Sequence, residues 1–268
     1  MIENHNAMYG RGETSYTMGV NQFADMTKAE FKETLLTRKP GSPRSRTVMT
    51  AAMINASAVP DAIDWRIVGR LLPSRTRVPV EVAGRSPRKY GAAAIESAYY
   101  LKNKQMQTFS EQELIDCSTA YGNHGCSGGF MQDGFQYAIE NGISTVAEYP
   151  YTATDEVFKT HKAFAKVSSY VDVEQTENAL KSAVVTIYVD DMAYYTGGVY
   201  DNPNCPNTFD KLDHEVLLIG YGTEGGKDYW LIKNSWGTTW GESGYAKMSR
   251  NSNNQCGIAV DAAYPIVA

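Results

Sequence analysis

At 268 residues with 43% hydrophobic content, the chain is long enough to bury a full core, as one large domain or as two lobes sharing a cleft. Lys and Arg number 25 against 30 Asp and Glu, a formal charge of −5 that argues against a nucleic-acid partner. No window approaches the ~18 consecutive apolar residues of a membrane span, so no membrane partner is expected. Residues 1–20 hold no apolar signal core behind a basic start, so either the protein is cytosolic or its natural N-terminus lies upstream.

Residues 1–34 show helical fragments interrupted by Gly10, Gly12 and Gly19, and residues 35–60 carry the basic, Pro, Gly and Ser content of a linker. A boundary near Val59 divides the chain into 1–58 and 59–268. The run AAAIESAYYLKN predicts a helix over 92–103. Ser110 with Glu113 three residues on forms a capping box for a second helix reaching Cys117, and residues 129–141 predict a third. Beyond residue 180 the character changes to short strand runs, VVTIYV, EVLLIGYG and DYWLIKNSW, with the turn GTEGGKD between the last two. The fold class that follows is α+β, helical first and strand-rich second.

Four cysteines, Cys117, Cys126, Cys205 and Cys256, are too few for a disulfide scaffold but could form two bridges in an oxidising compartment. His214 stands at the start of an apolar strand run, and Asn234 follows twenty residues later, after a hairpin-like turn. Two adjacent strands would bring them together. An imidazole whose second nitrogen is held by an amide is the base and orienting pair of a Cys-His-Asn protease. For a lone histidine at a strand edge, the more common reading is a satisfied structural residue.

The surrounding motifs favour the catalytic reading. AIDWR (62–66), SEQELIDCS (110–118), GNHGCSGGFM (122–131), EYPY (148–151), LDHEVLLIGYG (212–222), KNSWGTTWGESGY (233–245) and QCGIA with AAYP (255–265) stand in one order along the chain. Together they resemble the papain family of cysteine proteases, cathepsin L-type. Gly19, Asn21, Phe23 and Asp25 resemble that family's propeptide pattern G-x-N-x-F-x-D, and IENHN at 2–6 looks like the end of its long helix. On this resemblance the chain begins in mid-propeptide, and a secreted or lysosomal protein is expected.

The resemblance implies a papain-like two-lobe fold, a helical left lobe and a β-barrel-like right lobe with a cleft between. His214 would be the general base, Asn234 its orienting amide and Trp236 the indole shielding the pair. Gly128 and Gly129 would bind substrate backbone, and Phe130, Met131, Leu212, Asp213 and Asp261 would line the pocket for the side chain two before the scissile bond. Asp261, at the pocket floor, would either receive an Arg side chain or turn to solvent, leaving an apolar pocket suited to Leu or Phe. Cys205 and Cys256 would be bridged; Cys117 and Cys126 expect partners that the chain does not supply, with Phe158 where the partner of Cys117 should be. Peptide or protein substrates and the chain's own propeptide as inhibitor are the expected partners. A monomer is expected, with no cofactor and no metal.

One stretch departs from the family. Between Trp65 and Ala92, where the family has a Gln for the oxyanion hole and then Cys-Gly-Ser-Cys-Trp-Ala-Phe, this chain has RIVGRLLPSRTRVPVEVAGRSPRKYG, with no Cys and no Gln. Back-translating Leu72 to Arg88 with permitted codons and reading from the third base yields Pro-Val-Lys-Asp-Gln-Gly-Pro-Cys-Gly-Ser-Cys-Trp-Ala-Phe-Ala-Ala, the family's active-site segment. A frame slip from near Ile67, corrected near Lys89 to Gly91, is therefore expected. The nucleophile codon would straddle Val82 and Ala83, and the oxyanion Gln codon Thr76 and Arg77. Three outcomes follow: a cysteine endopeptidase once the frame is restored, a catalytically inactive binding module as written, or a serine variant using Ser86, disfavoured because Pro87 follows it.

Overall fold

In the computed structural model of the chain, residues 1–36, 48–49, 60–66, 88–152, 154–157, 162–177, 180, 184–189 and 192–268 are described. Helix α1 (Ile2–Gly10) leads into strand β1 (Tyr16–Met18) and helix α2 (Lys28–Leu35). The sequence predicts only helix in this region. Thr27 starts α2 through a full capping box, with Glu30 N–H on Thr27 Oγ1 at 3.2 Å and Thr27 N–H on Glu30 Oε2 at 2.8 Å.

Three further helices, α3 (Arg88–Asn103), α4 (Glu111–Cys117) and α5 (Met131–Glu140), occupy the positions that the sequence predicts. Ser110 caps α4 by accepting from Glu113 N–H at 3.0 Å, but the reciprocal half of the expected box is replaced. Ser110 N–H donates instead to Ser144 O, and the buried Glu113 carboxylate accepts from Ser144 N–H at 2.7 Å and Tyr137 O–H at 3.0 Å. Tertiary donors have outcompeted the local one. No described helix is long and apolar enough to cross a membrane.

Among the described residues the strands β2 (Val48–Met49), β3 (Ile63–Asp64), β4 (Val167–Val173), β5 (Val184–Ile187), β6 (Tyr195–Tyr200), β7 (His214–Glu224), β8 (Lys227–Lys233), β9 (Tyr245–Ser249) and β10 (Asp261–Val267) join β1 in one sheet. Its order is β1-β6-β9-β8-β7-β5-β10-β4-β2, with β3 paired to β7. Two glycines, Gly225 (φ 56°) and Gly226 (φ 78°), form the β7–β8 turn, the positive-φ pair that a two-residue hairpin of primed type requires. Leu217 lies opposite Lys233 in this hairpin, which brings Asn234 to the end of the sheet where His214 begins β7.

Two buried clusters flank the sheet, and β7 feeds both. Val216 and Leu218 point into one with Phe23, Phe31, Leu35, Trp236 and Trp240, while Leu217 and Ile219 join Ile95, Phe109, Leu114 and Phe135 in the other. Period-two alternation between two covered faces explains why this strand reads as an unbroken apolar run. Helices on one side and a strand-rich half on the other give the papain-like α+β arrangement expected from sequence.

Candidate active site

His214 is 5% exposed, with its Nε2 3.0 Å from Asn234 Oδ1. Because Oδ1 also accepts from Ser235 N–H at 2.7 Å, the imidazole is the donor at Nε2. The Trp236 ring lies 5.0 Å from the imidazole, centroid to centroid, and is itself 1% exposed. The backbone of Leu35, at the end of α2, hydrogen-bonds the imidazole. Burial pushes the imidazole down to about 4, against smaller opposing effects of Asn234 and the Leu35 backbone.

Segment 21–36 covers this pair. Gln22 donates from Nε2 to Trp236 O at 2.8 Å and accepts from Thr239 Oγ1 at 2.9 Å, while Phe23 and Phe31 stand edge-on to Trp236 at 5.7 and 5.2 Å. Upstream, Asn21 donates to Ala193 O at 2.7 Å, Gly19 lies where a Cβ would sit 2.8 Å from Thr196 Cγ2, and β1 extends the sheet along β6. Asp25 is exposed. Sequence reasoning singled out Gly19, Asn21, Phe23 and Asp25 but missed Gln22, Phe31 and Leu35, whose only signal was proximity to that pattern.

Cys205 and Cys256, 51 residues apart, form a disulfide. Cys117 and Cys126 remain thiols. Cys117, half-buried in α4, lies 3.9 Å from Tyr149 O–H, and burial pushes its thiol up to about 11, so little thiolate forms near neutral pH. The Cys126 N–H is held by the Asp155 carboxylate. Val82, Ala83, Ser86, Thr76, Arg77 and Phe158 lie outside the described residues.

The sequence profile of the papain family cysteine proteases matches residues 59–266, and that of the cathepsin propeptide inhibitor domain matches residues 1–31. The chain belongs to the papain family of cysteine proteases. It is 41% identical over 280 residues to digestive cysteine proteinase 3 of Homarus americanus, covering 100% of this chain and 85% of that protein. With procathepsin L of Mus musculus it shares 37% identity over 284 residues, covering 100% of this chain and 83% of that one. The solved structure of the digestive procathepsin L2 proteinase from Tenebrio molitor larval midgut superposes with a TM-score of 0.89 at 37% identity, covering 98% of this chain and 88% of that one.

In this papain-family, cathepsin L-like chain the expected pocket residues lie at the start of α5 and along the sheet. Gly128 and Gly129 are buried, and a Cβ on Gly129 would fall 1.7 Å from Asn123 Oδ1, so only glycine fits there. Phe130 N–H donates to the same Asn123 oxygen at 2.9 Å. Leu212 packs against Gly257, where a Cβ would lie 2.5 Å from Leu212 Cδ2. The Asp213 carboxylate accepts from Val189 N–H at 3.0 Å. Asp261 is 1% exposed, taking Gln132 Nε2 at 3.1 Å and Thr186 Oγ1 at 3.2 Å, so the alternative in which it turns to solvent does not hold. Packing of α5 over β10 buries it.

Proposed function

We propose that the chain is a form of a cathepsin L-like endopeptidase precursor whose nucleophile segment is out of frame between about residues 67 and 91. Residues 1–58 act as inhibitory propeptide and linker, and residues 59–268 as the peptidase domain, secreted or lysosomal as the family resemblance implies. The observation that carries this reading is the completeness of the base: His214, Asn234 and Trp236 are assembled, and segment 21–36 covers them. With the frame restored, a cysteine thiol beside His214 loses its proton to the imidazole, its pKa falling to roughly 3–4 as in other Cys–His pairs. The thiolate attacks a peptide carbonyl, an acyl-enzyme forms, and water releases it. Asn234 holds the imidazolium in place, and the backbone of Gly128 and Gly129 pairs with the substrate backbone as the family resemblance implies.

An inactive papain-fold binding module is the second reading for the chain as written. It is favoured by the placement of the remaining thiols, one pushed up to about 11 in α4 and the other in the Gly125–Ser127 turn. Both forms can be expressed as full precursors and assayed on a fluorogenic peptide. The chain as written should show no turnover, since the nucleophile and an oxyanion donor worth ~10²–10³ in rate are both missing. The restored form should cleave the peptide and its own segment 1–58, and alkylation should abolish both activities. Turnover by the chain as written, or an uninterrupted genomic frame across codons 66–92, would sink the slip.

Asp261 supplies the specificity expected of the restored enzyme. By the family match Asp261 stands at the pocket floor, where an Arg side chain two residues before the scissile bond would replace the Gln132 and Thr186 contacts that its carboxylate now makes. Asp261→Ala should lower the Arg-to-Leu ratio of kcat/KM; an unchanged ratio removes Asp261 from the pocket.

A further inference from the structure

We infer that Glu215 is a positioning residue that ties the substrate-binding edge at the start of α5 to the strand bearing His214. The role of that edge rests on the protease reading above. Glu215 directly follows His214 in β7, is 1% exposed, and accepts Met131 N–H on Oε1 at 3.1 Å. Met131 is the first residue of α5, so its N–H is one of those that the helix itself leaves unsatisfied. The positive end of the helix also offsets the cost of burying a carboxylate there.

The edge is held from two directions. From the helical half, Asn123 Oδ1 takes Phe130 N–H and Asn123 Nδ2 donates to Ser118 Oγ at 2.7 Å, just past the end of α4. From the sheet, Glu215 takes the next N–H along the chain. Strand register places Glu215 opposite Thr186 and Thr186 opposite Asp261, a row across β7, β5 and β10. Gln132 Nε2 bridges Asp261 Oδ1 at 3.1 Å and Asp172 Oδ1 at 3.2 Å. The first two residues of α5 are thus anchored to β7, β10 and β4 by three carboxylates. Of the three, Glu215 alone is continuous with His214, so it fixes the spacing between the backbone-binding edge and the base.

The test uses the full chain and needs no catalysis, so its failure would leave the protease reading intact. In Glu215→Ala, amide exchange at Met131 should accelerate roughly tenfold or more, the ratio expected for losing a hydrogen bond to a charged group. The His214 ring ¹⁵N signals should shift while exchange in α3 stays as it was. Glu215→Gln keeps a carbonyl acceptor and should restore most of the protection and the ring signals. If Glu215→Ala does not fold, Glu215→Asp, one methylene too short to reach, should give the same acceleration. Unchanged Met131 exchange in Glu215→Ala or Glu215→Asp, or a Gln variant no better protected than Ala, would overturn the assignment.

Discussion

The strand-rich half of the molecule is chemically complete, and the helical half is not. In the former, Cys205 meets Cys256, His214 meets Asn234, and Trp236 closes over the pair. In the latter, Cys117 and Cys126 remain thiols, although the motifs around them, SEQELIDCS and GNHGCSGGFM, are as well formed as those of the other half. On the proposed frame slip, the restored segment supplies two cysteines, the nucleophile and a partner for Cys126, whereas Cys117 stays a thiol because Phe158 stands where its partner is expected. The family's motifs thus stand on both sides of the stretch between Trp65 and Ala92 that departs from them.

The contrast can be broken most sharply at the cover. Phe31 is 4% exposed and stands edge-on to Phe23 and Trp236, so Phe31→Ala should weaken docking of segment 21–36 by about 3–5 kcal/mol. Limited proteolysis should then nick that segment while the strand-rich half resists; equal resistance in wild type and variant would contradict this. Next in size is the disulfide. Cys256→Ser should cost about 2–5 kcal/mol in urea unfolding, whereas Cys126→Ser should change stability by less than about 0.5 kcal/mol. Equal losses would erase the difference between the halves.

The third prediction concerns protons. His214 titrates at about 4 when buried against an ordinary 6.5, so between those values the native state binds fewer protons than the unfolded chain. Stability contributed by the neutral imidazole is full above pH 6.5 and is lost as pH falls toward 4, by about 3 kcal/mol in all. His214→Gln should flatten the stability curve over that window. A wild-type curve already flat there would mean that the ring is open to water.

Much of the site was legible because its determinants are local. His214 and Asn234 are joined by one hairpin whose Gly225–Gly226 turn and alternating apolar residues are written in consecutive positions. The helices over 92–103 and 129–141 were legible for the same reason. Strand β1 was not, since three residues beside Gly19 carry too little pattern to outweigh their helical surroundings, and β1 exists only by pairing with β6.

Sequence alone therefore determined that His214 and Asn234 come together, where the helices and the central hairpin lie, and that the stretch between Trp65 and Ala92 departs from the motifs around it. Tertiary structure decided that Leu35 meets His214, that Glu113 abandons its local cap for Tyr137 and Ser144, that Glu215 reaches Met131, and that Asp261 is buried under Gln132. Periodicity and turn chemistry act over a few neighbours. Contacts such as Gln132 to Asp261 span 129 positions and depend on how α5 settles on the sheet, a choice made by the packing of whole elements rather than by any segment's own pattern.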